Sequence, residues 1–228
     1  MSEAPQRKAA TVENLRDVPL PPRPPRLKPL HTVADVQAIP YLDDEEKQLA
    51  IDLLLRSLRL YGNQATMTVA TALHDPKGAQ AKFKYGEELS ALIGNTGDKR
   101  HTVQGTLLHL MVLSVLKFTK DEALVGALSA GNGRMAPGFK PHHLALMDYP
   151  ESEVWSDEQR LMLRYVRAVL HHEMTDELWN RAVAAWGVKM CLRYLQYMGH
   201  FFTTGIRNRA LRVTHPISRD AGYVSFVS

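Results

Sequence analysis

At 228 residues, with 45% apolar and 23% charged residues, the chain has the makeup of one globular domain with enough apolar content for a sizeable core. Its formal net charge is +4, but the first 30 residues hold six Lys/Arg against three Asp/Glu, so the remainder carries 22 against 21, or +1, and nucleic-acid binding loses most of its support. The single cysteine, Cys191, excludes an intrachain disulfide and a CxxC redox pair, and it reads as a small buried hydrophobe.

The chain opens on a segment holding seven of the thirteen prolines within 30 residues. Proline removes backbone donors and breaks helix interiors, so residues 1–40 read as an extended or disordered arm, lying free or along a neighbouring subunit, and residues 41–228 as a helical domain. No apolar signal core precedes this, and the longest apolar run, residues 103–116, is interrupted by His109 and too short to span a bilayer. A cytoplasmic protein with no membrane partner is expected.

From residue 43 the pattern turns helical. DDEEKQLAIDLLLRSLRL starts acidic and places Leu49, Leu53, Leu54 and Leu58 on one face. Asn63 then caps QATMTVATALHDP, and Pro76 opens KGAQAKFKYGEELSALIG. After a turn at 94–100, HTVQGTLLHLMVLSVLKFT is apolar nearly all round, which predicts a central, buried helix. Gly126, Ala127 and Ala130 permit close helix approach, and residues 131–138 form a glycine-rich bend.

The last third is the most sharply patterned. Ser156 with Gln159 has the form of a capping box before a helix at 157–170. Thr175, Asp176 and Glu177 start a second helix that Gly187 stops, and a third follows with Met190, Cys191, Tyr194, Leu195, Met198 and Phe202 as its stripe. Arg207, Arg209 and Arg212 stand where cations suit a helix C-terminus. The pattern gives seven to nine helices, no strand and no internal repeat, so the fold class is all-α.

The segments TALHDPKGAQAKFKYGEELSAL and LLHLMVLSVLKFTKDEALVGALSAGNGRMAPGFKPHHLALM, with the block at 155–209, resemble the carboxymuconolactone decarboxylase and alkylhydroperoxidase AhpD-like family over about residues 60–213. The resemblance implies an AhpD-like helical bundle that assembles into dimers, trimers or hexamers, with active sites near subunit contacts. The chain departs from the redox branch, because no cysteine stands in the reactive helix, and a thiol peroxidase cycle needs a second thiol. What remains resembles the cofactor-free, decarboxylase-like side of the family.

His109 lies among Leu107, Leu108, Leu110 and Met111, where an imidazole is costly unless hydrogen-bonded or used, and it falls near the family's helix-borne acid/base glutamate. With Glu122 and His200 it makes the catalytic set. Arg134, in GNGRMAPG, has the planar fork that clamps a carboxylate, and Lys120 is the second substrate-binding candidate. The neighbours His142 and His143, like His171 and His172, face different ways on a helix, so no metal and no cofactor is expected. The expected activity is a cofactor-independent lyase, decarboxylase or isomerase acting on a small carboxylated or phenolic cyclic substrate. Two other readings stay open: a redox-dead binding or assembly protein, and a metal-dependent enzyme with His ligands.

Overall fold

The computed structural model describes residues 24–60, 67–94, 103–121 and 141–213, and among these the chain is all helical, with nine helices and no strand. In chain order they are α1 (Val33–Gln37), α2 (Asp44–Leu60), α3 (Met67–Ala72), α4 (Pro76–Leu92), α5 (Val103–Phe118), α6 (Pro141–Leu146), α7 (Asp157–His171), α8 (Asp176–Trp186) and α9 (Val188–Leu211). Asn63, Gly126, Ala127, Ala130 and the bend at 131–138 lie outside the described residues, as do Glu122 and Arg134.

Local chemistry sets the helix starts. The Ser156 hydroxyl accepts from the Gln159 N–H at 3.2 Å while the Gln159 side chain accepts from the Ser156 N–H at 2.9 Å, so two orphan donors of α7 are satisfied reciprocally. Thr175 accepts from the Leu178 N–H to open α8, and Asp75 accepts from the Gly78 N–H ahead of Pro76 at the start of α4. The short α1, hidden by the prolines around it, has the same device: Thr32 and Asp35 form a capping box. Lys28 beside Asp35 holds its carboxyl well below the usual carboxylate range.

The main core is built on α5. Apolar on nearly every side, it is covered by α7 along one flank and α9 along another. Leu110, Met111, Leu113 and Leu116 meet Met162, Tyr165 and Val166 of α7 and Cys191, Tyr194 and Met198 of α9, all buried. The Tyr165 hydroxyl donates to the Cys191 carbonyl at 3.1 Å, and Trp186 stands edge-on between Tyr165 and Tyr194. Burial pushes the Cys191 thiol up, which keeps it protonated.

A second, smaller core gathers Leu30, Val36, Ala50, Leu54, Leu73 and Ala79 from the N-terminal elements and the start of α4. Leu30 and Val36 are fully buried, the Leu30 N–H donates to the Ala70 carbonyl at 3.0 Å, and the Arg26 N–H donates to the Leu211 carbonyl at 2.9 Å. The packed unit therefore includes Arg26, Leu30 and Val36, which lie ahead of the boundary at 41 that proline content suggested. Proline restricts the backbone, but it does not keep the apolar side chains between prolines out of a core. α9 runs beside both cores, and it passes close to the end of α5 because residue 205 is glycine: a Cβ there would stand 2.0 Å from Thr119 Oγ1. No helix among the described residues is long and apolar enough to cross a membrane.

Leu30→Ala is expected to lower the unfolding free energy by about 2–5 kcal/mol, the cost of emptying a fully buried leucine site. Urea unfolding measures it, and a change within about 0.5 kcal/mol, as at a surface position, would put this segment outside the cooperative unit.

Candidate functional site

Between the two cores, polar and charged side chains from four elements meet along the contact of α4 with α9. On α9, His200, Thr203 and Arg207 follow one another at i, i+3 and i+7, so they share one face. Lys82, Tyr85 and Gly86 do the same on α4, at i, i+3 and i+4. The packing of α4 on α9 brings these faces together.

The contacts are specific. Lys82 Nζ donates to Thr203 Oγ1 at 2.8 Å, and that hydroxyl donates to the His200 carbonyl at 2.9 Å. The His200 ring lies directly over Gly86, where a Cβ would come within 2.7 Å of the imidazole; glycine is what lets the ring sit against α4. Tyr85 flanks it, with ring centroids 6.0 Å apart and planes at 50°. Toward the interior, Arg207 Nη2 donates to the Thr68 carbonyl at 3.2 Å, and Asn208 Nδ2 donates both to Thr68 Oγ1 at 2.9 Å and to Asp121 Oδ2 at 2.8 Å. Asp121 reaches this point because α5 ends in a left-handed turn at Lys120 (φ 55°), closed by bonds from the Lys120 N–H to the Lys117 carbonyl and from the Asp121 N–H to the Leu116 carbonyl.

The electrostatics follow from burial and from the mutual repulsion of Lys82, His200 and Arg207, with Asp121 acting on Arg207 alone. Burial, with the charges of Lys82 and Arg207, pushes His200 down to about 4. Burial and the Arg207 charge bring Lys82 down to about 8. Burial lowers Arg207 too, while Asp121 acts to raise it. At neutral pH the seam thus presents a neutral imidazole next to two cations.

Of the residues flagged by the sequence, His200 stands in this seam. His109 sits on α5, half-buried, pushed down to about 4 by burial, with Leu108 and Leu110 buried beside it. Lys120 is exposed in the turn that ends α5, and His172 is the left-handed cap of α7. Two open grooves, of about 530 and 450 Å³, include none of these residues. The first is lined by Glu151, Arg164 and Arg181, with Arg164 forked onto Glu151, and the second by Phe118, Phe202 and Ile206 on another side of α9. No group of three or more His, Cys, Asp or Glu among the described residues is arranged to hold a metal ion. Lys82, Thr203 and Arg207 were not flagged; the signal available for two of them was their spacing from His200.

Comparison with protein-family models gives no match, and comparison with curated proteins and with solved structures gives no significant match.

The two histidines make stability depend on pH with a definite sign. Folded, they stay neutral down to about 4, whereas in the unfolded chain they bind protons near 6.5. The unfolded state then holds more protons in that window, so their contribution is complete above pH 6.5 and is lost as the pH falls toward 4. The loss is on the order of 3 kcal/mol for His109 and less for the more exposed His200, where solvent screens part of the effect. Urea unfolding at successive pH values measures it, and His200→Gln should remove a part of the decline smaller than His109→Gln removes; an unchanged decline would place His200 in water.

Proposed function

We propose that the chain is a cofactor-independent lyase, decarboxylase or isomerase acting on a small carboxylated or phenolic cyclic compound, with the seam between α4 and α9 as its active site. The resemblance to the carboxymuconolactone decarboxylase side of the AhpD-like family supports the reaction class. The single observation that supports the chemistry is the neutral His200 imidazole packed against Gly86 in the field of Lys82 and Arg207.

A neutral imidazole is ready to take a proton from a substrate carbon or hydroxyl and, once charged, to return it, so His200 can serve as base and then as acid. An anionic substrate would itself adjust the base, since its negative charge beside His200 opposes the repulsion from Lys82 and Arg207 and raises the imidazole toward the range where proton transfer is efficient. His109 is the second candidate for this role; His200 is favoured because cations flank it, whereas apolar residues adjoin His109 on α5. Assembly into a homo-oligomer belongs to the same reading, supported by exposed Leu92, Val188 and Leu192, and light scattering reads its mass directly.

Turnover of a panel of carboxylated and phenolic ring compounds, followed by ultraviolet absorbance and CO₂ release, tests the assignment. His200→Gln should lower kcat by about 10²–10⁴, the usual size of a lost acid/base contribution, with little change in KM. Wild-type turnover in that variant, with the loss falling on His109→Gln instead, would move the chemistry to α5.

A further inference from the structure

The same seam carries an inference about what binds there, which rests on the active-site reading only for the identity of the reacting molecule. Lys82 is half-buried, its hydrogen bond goes to the neutral Thr203 hydroxyl, and among the described residues it makes no ion pair. Arg207 donates one hydrogen bond, to the Thr68 carbonyl, while its Nε is buried without a partner. Asp121, the carboxylate that acts on Arg207, accepts from Asn208 at the inner end of the seam and leaves the outer end to the cations. Two cations partly out of bulk water in one another's field, with no ion pair to either among the described residues, are a costly arrangement that a bound anion relieves.

We propose that Lys82 and Arg207 form a binding site for the carboxylate of a small aromatic or cyclic acid, whose ring lies against Tyr85. Tyr85 is 44% exposed at the mouth of the seam, close to the His200 ring, and so offers an aromatic face to a planar ligand. One guanidinium edge and one ammonium supply donors for the two oxygens of a carboxylate. A phosphate dianion is a poorer fit: the seam runs along the flanks of α4 and α9, where backbone N–H groups are engaged within the helices, and it lacks the helix N-terminus that phosphate sites use. The carboxylate so held is adjacent to His200, which connects binding to the proton-transfer group.

Isothermal titration of the full chain with benzoate, with acetate and with inorganic phosphate tests the site. Benzoate is expected to bind once per chain with a Kd on the order of 1 mM, more tightly than acetate, and to move the His200 ring resonances. Because Arg207 is built into the seam, the variant to use is Lys82→Gln, which keeps a donor for Thr203 and removes the charge; it should weaken benzoate at least about tenfold. Tyr85→Ala should weaken benzoate and leave acetate unchanged. Absence of benzoate binding up to about 20 mM, or binding indifferent to Lys82→Gln, overturns the site, and phosphate binding as tightly as benzoate overturns the carboxylate assignment. Lys82-dependent benzoate binding without turnover of any ring acid supports the site and overturns the lyase reading; His200-dependent turnover without benzoate binding does the reverse.

Discussion

A helix as apolar as α5 is kept from water only if neighbours cover it along its length, and the helix that completes that cover, α9, has a second obligation on its other side. Cys191, Tyr194 and Met198 face the main core, while α4 and α3 pack against the flank that carries His200, Thr203 and Arg207. The main cluster takes side chains from α9 and the smaller one takes none, so a strip is left along α9 that neither fills. Polar groups occupy that strip: Thr68, Asp121 and Asn208 inside, Lys82, His200 and Arg207 further out.

The inner part of the strip is tied together by hydrogen bonds from Asn208 Nδ2, although Asn208 Oδ1 is buried without a partner among the described residues. Asn208 ties the end of α5 to α3 through Asp121 and Thr68, and the left-handed Lys120 is what turns Asp121 inward. The outer part is different. Lys82 and Arg207 keep their charges with hydroxyl and carbonyl partners, an arrangement that costs stability compared with either an ion pair or an apolar filling. Local destabilisation of this kind, maintained beside a neutral imidazole, is what an acid/base site with an anionic ligand requires.

Much of the fold was legible because its causes are local. The capping box at Ser156, the cap at Thr175 and the break at Gly187 depend on residues within one helical turn, and α7, α8 and α9 lie where those signals put them. α1 shows how composition misleads: Thr32 and Asp35 carried a capping signal, but the prolines around them turned the reading toward an arm. The site was less legible because its causes are tertiary. Arg207 stands near the end of α9, where a cation ordinarily complements the helix dipole, yet α3 packs over it and supplies the Thr68 carbonyl. Lys82 looks like any solvated lysine until α9 covers it. Glu122 and Arg134, expected as acid/base and clamp, fall outside the described residues, and Lys120 is exposed in the turn.

Nuclear magnetic resonance titration of the His200 ring and the Lys82 ammonium in the ligand-free full chain tests the central claim, that the α4–α9 contact keeps these groups out of water and unpaired. The account predicts midpoints near 4 for His200 and near 8 for Lys82. Midpoints near 6.5 and 10.5, the values of fully hydrated side chains, would contradict it.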